Sequence, residues 1–329
     1  MGKQSEAGKI RNAAIERTPM RTERDDLFVP PLTFANLPYS QNFSAADVAI
    51  LGLPFDCGSH PTRLGARLGP NAIREQSVLS LELIEDALGD PFQKLSVIDA
   101  GDVNFSGGGL SSIQQFYLRT EEAMSQILKN NAIPLTFGGD GAVMLPQLRA
   151  VHGKYPDIAV LHFDAHTDCY PLRSNNHFDN ATPFTHAAHE KILNIPASLH
   201  VGTRAPVNAD ASIQFTEQMG YRVLPWDKIV ELDFRTSVQL IRKSLEGKPV
   251  YLCFDMDFFD PSVAPGVATP TPGGPTTYDG LRLLKAMSGL NIVACDINTV
   301  SPLYDVNGIT AQLAATVAME CLELLTKRA

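Results

Sequence analysis

Runs of apolar residues alternate with more polar stretches along most of this 329-residue chain. The apolar runs predict buried β-strands, because strands covered on both faces carry hydrophobic residues at even and odd positions alike. Strands are predicted near residues 48–53, 95–99, 133–137, 158–163, 199–202, 222–224, 250–254 and 291–295. Helices are predicted near residues 70–79, 113–128, 143–152, 278–287 and 310–325.

This alternation of strands and helices predicts right-handed crossovers and a parallel sheet of eight strands. In such sheets, ligands gather outside the carboxyl ends of the strands. Asp140, Asp164 and Asp255 all follow or end predicted strands. The predicted fold and the candidate chemistry therefore point to the same edge of the sheet.

Two acidic clusters each follow one of the predicted strands. The first contains Asp164, His166 and Asp168, and the second contains Asp255 and Asp257. Alternate side chains of an extended segment point the same way, so each cluster is expected to converge on one side of its strand end. Carboxylates gathered around one imidazole suit manganese or a related divalent ion, and nickel is also compatible.

The alternative is that these carboxylates are helix caps and surface groups at strand ends. For a single pair of aspartates that interpretation is the better one, but two such clusters favour a metal site. A shared pair of divalent ions can hold a bridging water, lower its pKa and present hydroxide as a nucleophile. The clusters therefore favour metal-assisted hydrolysis.

Several further motifs occur in order along the chain, at residues 52–56, 63–74, 99–102, 257–266, 269–270, 273–274 and 296–297. Together with the acidic clusters they resemble the ureohydrolase family, which contains arginases, agmatinases and guanidinobutyrases. The resemblance runs from about Val48 to the C-terminal helix. It implies a three-layer α/β/α domain of arginase-like fold over residues 34–329, around a mainly parallel sheet. It also implies hydrolysis of guanidine or amidine C–N bonds, with release of urea, by two metal ions.

The resemblance implies one metal site whose ligands are all present, namely Asp164, His166, Asp255 and Asp257. The second site would share two of these aspartates and add Asp168 and a histidine. That histidine is replaced by Gly141 in this chain. We therefore expect Mn²⁺ or Ni²⁺ to be bound weakly, in part or not at all.

Two more departures from the family pattern affect residues to which the family pattern gives a chemical role. The family's proton-handling histidine aligns with Asn180, which cannot change charge near neutral pH. The family's substrate-anchoring glutamate aligns with Thr299, which has no charge to match a cation. His177, in a loop over the expected pocket, is the candidate to compensate. His186 and His189 are instead expected on a solvated surface helix.

These departures favour a ureohydrolase-like subunit that is impaired alone and supports an active paralogue in a homo- or hetero-trimer or hexamer. The bacterial metformin hydrolases, which pair an active and a degenerate chain, are one arrangement of this kind. The alternative is an active hydrolase of a non-standard guanidine, biguanide or amidine, with a second metal ion held loosely through Asp168. A third interpretation is a binding or regulatory protein that keeps the pocket without hydrolysis.

Composition limits the classes of partner that the chain is expected to bind, but it does not identify a substrate. The net charge of −9 and the absence of long Lys/Arg runs argue against a nucleic-acid surface. No segment is long and apolar enough to predict a membrane span. Residues 1–33 are polar and charged, which predicts either an arm over the domain, contacting a neighbouring subunit, or disorder.

The five cysteines are scattered and show no paired metal spacing. Cys253 and Cys295 lie in predicted strands and are expected to be core residues. Cys169 directly follows the first acidic cluster and is expected to border the pocket. A reducing cytoplasm fits this usage best.

Overall fold

The computed structural model describes residues 31–59, 62–83, 91–105, 110–172, 178–204 and 209–328. Its strands are β1 Val48–Leu53, β2 Val97–Asp102, β3 Ile133–Gly138, β4 Ala159–Phe163, β5 Leu199–Val201, β6 Arg222–Leu224, β7 Val250–Asp255 and β8 Ile292–Asn298. The helices of these residues are α1 Gly69–Leu83, α2 Leu110–Lys129, α3 Met144–Lys154, α4 Pro183–Glu190, α5 Ala209–Gln218, α6 Trp226–Glu231, α7 Phe234–Leu245, α8 Thr277–Lys285 and α9 Ile309–Leu325.

The eight strands form one sheet in the order β2-β1-β3-β8-β7-β4-β5-β6, and every pairing between them is parallel. The predicted three-layer α/β/α fold is confirmed. Because β8 lies between β3 and β7, strands that are distant in sequence bring their carboxyl ends together near the middle of the sheet. That is where this fold class binds ligands.

The two faces of the sheet contribute to two separate apolar cores. In β7, Val250, Leu252 and Phe254 pack into one core, whereas Tyr251 and Cys253 pack into the other. The first core also takes residues from α1, α7, α8 and α9, and the second from α2, α3 and α4. This alternation explains why the strands are apolar at every position, and it buries Cys253 as predicted.

Strand β8 runs three residues beyond its predicted end at residue 295. The extension contains Asp296 and Asn298, which are polar but fully buried. Thr136 Oγ1 donates to Asp296 Oδ1 at 2.7 Å, and Asn298 Nδ2 donates to Asp296 Oδ2 at 2.8 Å. Polar side chains that satisfy one another can occupy a buried strand, which hydrophobic periodicity does not reveal.

Helices α5, α6 and α7 were not among the predicted elements. Helix α7 is mostly polar, but it buries Ile241 and Leu245 on one side. Asp233 caps it by accepting the backbone N–H of Thr236 at 2.9 Å. A helix with a narrow apolar stripe on an outer layer gives a weak sequence signal.

The described residues begin just before residue 34, at which the domain is predicted to start. Residues 1–30 of the predicted arm lie outside the described residues. The hydroxyl of Thr33 donates to the carbonyl of Leu37 at 2.7 Å, and the backbone N–H of Phe34 donates to Asp99 Oδ2 at 2.9 Å. Among the described helices, none has the length and apolar character needed to cross a bilayer.

Candidate metal centre

The carboxyl ends of four adjacent strands bring the predicted site residues together. Asp164 follows β4 and Asp255 ends β7, while Gly141 lies just after β3 and Thr299 directly after β8. All four residues are buried. The sheet order therefore places the two acidic clusters beside the positions at which this chain departs from the family pattern.

The structure groups the predicted ligands differently from the two acidic clusters of the sequence. Asp164, His166 and Asp257 form the first metal cluster, a set of side chains that could hold a metal ion. His166 Nδ1 lies 3.2 Å from Asp164 Oδ1 and 3.1 Å from Asp257 Oδ2. On the other side of the ring, Nε2 lies 3.2 Å from the hydroxyl oxygen of Thr271, which helps to orient the imidazole. One ring nitrogen and two carboxylates thus face a common point.

The backbone that creates this convergence is not the extended segment expected from the sequence. The chain leaves β4 after Phe163 and bends, because the N–H of His166 donates back to Asp164 Oδ1 at 2.6 Å. Asp168 lies in the left-handed region at φ 46°. The expectation that alternate side chains point the same way is therefore wrong for this segment, although its side chains do converge.

Asp257 reaches the site through a turn as well. Residues Met256–Phe258 form a 3-10 helix, and the carboxylate of Asp255 caps it by accepting the N–H of Asp257 at 2.7 Å. The interpretation of these aspartates as caps is thus correct for Asp255. A capping carboxylate keeps a second oxygen, so this role does not exclude metal binding.

His162, Asp164 and Asp168 form the second metal cluster, whose ligand atoms all lie within 4.8 Å of one another. His162 is fully buried, and its Nε2 lies 3.0 Å from Asp164 Oδ2. Sequence analysis treated this histidine only as part of a strand. Its position two residues before Asp164 was the available signal, since residues at that spacing share one face of a strand.

Asp255 belongs to neither cluster, although it lies at the same strand edge. Its Oδ1 accepts the N–H of Asp257 and the hydroxyl of Thr299. Burial raises its pKa well above the ordinary value, and the carboxylates of Asp257 and Asp164 raise that pKa further. Of the five predicted ligands, Asp255 is the only one outside the two described clusters.

The electrostatics of the clusters suit a bound cation. Burial raises the pKa of Asp168 well above its usual value, and Asp164 beside it adds to the shift. Burial alone would lower the pKa of His166, but Asp257 and Asp164 hold that pKa well above its ordinary value. The surrounding negative charge therefore keeps His166 protonated, and a divalent ion could take the place of that proton. The donor set of carboxylates and an imidazole fits a manganese-type metal.

Position 141 faces Asp168 of the second metal cluster, as the resemblance implies. A Cβ atom on Gly141 would lie 3.0 Å from Asp168 Oδ2, 3.1 Å from the carbonyl oxygen of Asn180 and 3.2 Å from Met144 Cε. A side chain here would therefore begin directly beside a predicted ligand. In this chain the backbone carbonyl of Asn180 and the end of Met144 border that space instead.

The carboxylate of Asp140, just before this position, takes a structural role. It accepts the N–H groups of Gly58 and Ala142, at 2.8 and 3.0 Å, and the hydroxyl of Ser59 at 3.0 Å. Burial raises the pKa of Asp140 to about 7 despite these three donors. Asp140 therefore fixes the loop after β3 and starts the short helix that leads into α3.

Thr299 occupies the position of the expected substrate anchor, but it is turned inward. It is buried in the left-handed region at φ 65°, which is unusual for a β-branched residue. Its hydroxyl donates to Asp255, and its N–H donates to the carbonyl of Gly139 at 2.7 Å. Asn180 is half-buried, and its N–H donates to the carbonyl of Gly58 at 3.3 Å. Neither residue supplies a charge.

Among the described residues, the histidines considered as substitutes do not complete either cluster. His177 lies outside the described residues. His186 and His189 lie on α4, as predicted; His189 is exposed and His186 is half-buried. Neither belongs to the two clusters of the described residues. Cys169 follows Asp168 directly, but it is fully buried in an apolar core, and burial raises its pKa to about 11.

Comparison with known proteins identifies the family. The model of the arginase family matches residues 46–323. The chain belongs to the arginase family. This assignment confirms the ureohydrolase resemblance and covers both acidic clusters as well as the positions of Gly141, Asn180 and Thr299.

Individual relatives agree with this family assignment. The chain is 38% identical over 308 residues to an agmatinase of Chromobacterium violaceum, covering 92% of this chain and 91% of the relative. It is 35% identical over 305 residues to the proclavaminate amidinohydrolase of Streptomyces clavuligerus, covering 91% of this chain and 96% of the relative. The solved structure of a proclavaminate amidinohydrolase from Streptomyces clavuligerus superimposes with a TM-score of 0.81 at 33% identity, over 91% of this chain and 98% of that one.

Proposed function

We propose that this chain is a ureohydrolase-family subunit that binds divalent metal but is impaired in turnover by itself. It would support an active paralogue in a hetero-oligomer that hydrolyses a guanidine, amidine or biguanide. The observation that carries the proposal is the replacement of three chemical groups around an intact fold, at Gly141, Asn180 and Thr299. A bound metal pair in this family fold would supply an activated water as nucleophile.

Substrate anchoring is the first function that this chain lacks. A guanidinium group is held best by a carboxylate, which pairs with it through two parallel hydrogen bonds. Thr299 offers one hydroxyl, and that hydroxyl already donates to Asp255. The described end of β8 therefore presents no free carboxylate to a substrate cation.

Proton handling is the second missing function. A positioned acid or base typically contributes a factor of about 10²–10⁴ to the rate of such a reaction. Asn180 has no group that titrates near neutral pH, and the described part of α4 offers only the exposed His189 and the half-buried His186. Together with the lost anchor, this predicts very slow turnover by the chain alone.

An exposed apolar surface supports assembly with another subunit. The segment of residues 62–68 contacts the segment around Tyr304. The Arg63 guanidinium stacks on the Tyr304 ring at 4.0 Å. Exposed apolar side chains cluster on and beside these segments: Leu64, Leu68, Leu303, Val306 and Ile309. A monomer would leave this apolar surface in water, whereas a trimer or hexamer could cover it.

The substrate class follows from the relatives and from the altered anchor. Relatives of 32–35% identity include a guanidinobutyrase and guanidino acid hydrolases, whose names indicate guanidino compounds. Loss of the carboxylate anchor favours a less cationic or bulkier compound, such as a biguanide. The partner that we propose is therefore an active ureohydrolase-like chain, arranged as in the metformin hydrolases.

The test is to assay this chain alone, the active paralogue alone and the two chains co-expressed, with Mn²⁺ or Ni²⁺ supplied. We expect no turnover by this chain, mixed trimers or hexamers by native mass spectrometry, and higher activity or stability of the mixed assembly. The control is the variant Asp227→Asn in the same assembly, which changes an exposed side chain and should leave activity unchanged. Turnover by this chain alone, or failure to form mixed assemblies, would contradict the proposal.

A second candidate function is an active hydrolase with an altered metal site. The observation that favours it is the cluster of His162, Asp164 and Asp168, which offers an imidazole near the missing ligand. This candidate predicts metal-dependent turnover in a screen of guanidines, biguanides and amidines, and predicts that Asp257→Ala abolishes it. Absence of metal-dependent turnover across that screen counts against this candidate.

A further inference from the structure

Arg204 lies three residues after β5, next to the turn that carries Asp257. It is half-buried, and its guanidinium donates to the carbonyl oxygens of three consecutive residues: Asp257 at 2.9 Å, Phe258 at 2.9 Å and Phe259 at 3.1 Å. Each of its side-chain hydrogen bonds to the described residues ends on a backbone carbonyl. Since a guanidinium is best suited to pair with a carboxylate or phosphate, donors directed at carbonyls indicate that this side chain holds backbone in place.

The same guanidinium reaches the loop that contacts His166. Its Nη2 and Nε donate to the carbonyl of Thr271 at 2.8 and 3.2 Å, and the Thr271 hydroxyl oxygen lies 3.2 Å from His166 Nε2. The backbone N–H of Arg204 donates to the carbonyl of Ala165 at 2.9 Å, between Asp164 and His166. One residue therefore connects the segment after β4, the turn after β7 and the loop behind the imidazole.

We propose that Arg204 is a positioning residue of the first metal cluster, which fixes the Asp257 carboxylate and the His166 imidazole for a divalent cation. The inference rests on the metal-binding part of the proposed function and does not involve turnover. Arg204 would not touch the ion. It acts through the backbone of Asp257 and through Thr271, and such groups behind a ligand typically change metal affinity by about 10–100-fold.

Two glycines make room for this arrangement. A Cβ atom on Gly274 would lie 2.4 Å from Nη2 of Arg204, and a Cβ atom on Gly202 would lie 2.4 Å from Cε2 of Phe258. Side chains do not tolerate contacts this short, so a substitution at either position would displace the guanidinium or the turn that it holds. The backbone around Arg204 is therefore shaped to admit its guanidinium beside these carbonyls.

The charge and the position of Arg204 make opposite predictions for a neutral substitution. Arg204 is a cation beside a site for a cation, so loss of its charge alone would strengthen Mn²⁺ binding. Loss of its hydrogen bonds would instead release the Asp257 turn and the Thr271 loop, and would weaken binding. Arg204→Met removes both charge and donors at similar length, whereas Arg204→Lys keeps the charge without the forked donors.

The test measures Mn²⁺ affinity of the metal-free full chain by titration calorimetry, at a temperature at which circular dichroism shows each variant to be folded. We expect Arg204→Met and Arg204→Lys each to bind Mn²⁺ about 10–100-fold more weakly than the unaltered chain. The matched control is Arg242→Lys. Arg242 Nη1 likewise donates to backbone carbonyls, those of Ala286 and Ser288 at 3.0 and 2.6 Å, but these lie before β8 begins and thus at the opposite edge of the sheet. Arg242→Lys should bind as the unaltered chain does.

The outcomes separate positioning from the other roles. Tighter binding by Arg204→Met with unchanged binding by Arg204→Lys would show a purely electrostatic effect and overturn the proposal. Equal weakening by Arg242→Lys would show a general loss of structure and overturn it as well. Absence of Mn²⁺ binding by the unaltered chain would overturn the metal-binding part of the proposed function together with this inference, whereas equal affinities of all variants would overturn this inference alone.

A second variant decides the question if the Arg204 substitutions do not fold. Gly274→Ala leaves Arg204 in the chain but moves the end of its flexible side chain, because the added Cβ would meet Nη2 at 2.4 Å. We expect about 10-fold weaker Mn²⁺ binding. The control is Gly153→Ala, whose added Cβ meets no atom within 4 Å. Equal affinities of these two variants would contradict the positioning role.

Discussion

At the ends of β4 and β7, an imidazole lies 3.1–3.2 Å from two carboxylates, and the three side chains form a group that could hold a metal ion. At the ends of β3 and β8, the corresponding positions carry Gly141, which lies beside Asp168, the Asn180 carbonyl and Met144, and Thr299, whose hydroxyl is directed at Asp255. Both halves lie on the same sheet edge and are largely buried. They differ in chemistry and not in scaffold.

This difference shows what the fold alone can and cannot supply. Parallel pairing of β3, β8, β7 and β4 places all four strand ends side by side, whatever side chains follow them. Binding a cation needs a few oxygen and nitrogen atoms at the right spacing, and one half provides them. The resemblance implies that hydrolysis also needs an anchor and a proton carrier, and the positions that it gives them hold Thr299 at the end of β8 and Asn180 before α4.

The largest expected effect comes from removing a ligand from the complete half. Asp257→Asn should weaken binding of the first Mn²⁺ by more than about 100-fold, because it removes a carboxylate that faces His166 at 3.1 Å. Titration calorimetry measures this change. Asp227→Asn, on the exposed side of α6, is the control and should bind as the unaltered chain does. Equal affinities of the two variants would show that the β4–β7 half is not a metal site.

Repairing the incomplete half gives an effect of opposite sign. Gly141→His adds the family ligand beside Asp168, so the second Mn²⁺ should bind about 10–100-fold more tightly. In the metal-free chain the same substitution should cost about 1–3 kcal/mol of unfolding free energy, because its Cβ meets Asp168 and the Asn180 carbonyl closely. Gly141→Ala is the control, with the same crowding and no imidazole. Tighter binding by both variants would refute this explanation.

The smallest effect is a dependence of stability on pH in the metal-free chain. Asp140, with a pKa of about 7, and Asp257, with a pKa of about 6, are raised by burial. Between about pH 4 and pH 7 the folded chain thus binds more protons than the unfolded chain, so its unfolding free energy should fall as pH rises. Urea unfolding at a series of pH values measures this slope. Saturating Mn²⁺ should remove the contribution of Asp257 but not that of Asp140, and a slope of opposite sign would contradict the assigned shifts.

The fold could be predicted from the sequence because its signal is spread over many positions. The predicted bounds of β1 and β6 match the observed ones, and a proline, Pro54 or Pro225, directly follows each strand. The end of β8 could not be predicted, because Asp296 and Asn298 are buried through bonds to each other and to Thr136. Such polar pairs appear only when distant strands are placed side by side.

The site could be predicted only in part. Asp164, His166 and Asp257 come together as expected, but they do so through turns made by their own side chains and not through extended strands. His162 was missed because it looks like a polar interruption of an apolar strand. Its relation to Asp168 and His200 depends on a backbone bend and on the neighbouring strand β5, which sequence spacing does not show.

The central claim is that this chain keeps the metal-binding half of an arginase-family centre and lacks the groups for turnover. The most direct test follows the loss of guanidines, biguanides and amidines by mass spectrometry, with the Mn²⁺- or Ni²⁺-loaded chain acting alone. The triple variant Gly141→His, Asn180→His, Thr299→Glu serves as the comparison. The account predicts no loss above the metal-only background for the unaltered chain and a measurable gain for the triple variant. Robust, metal-dependent hydrolysis by the unaltered chain alone would contradict it.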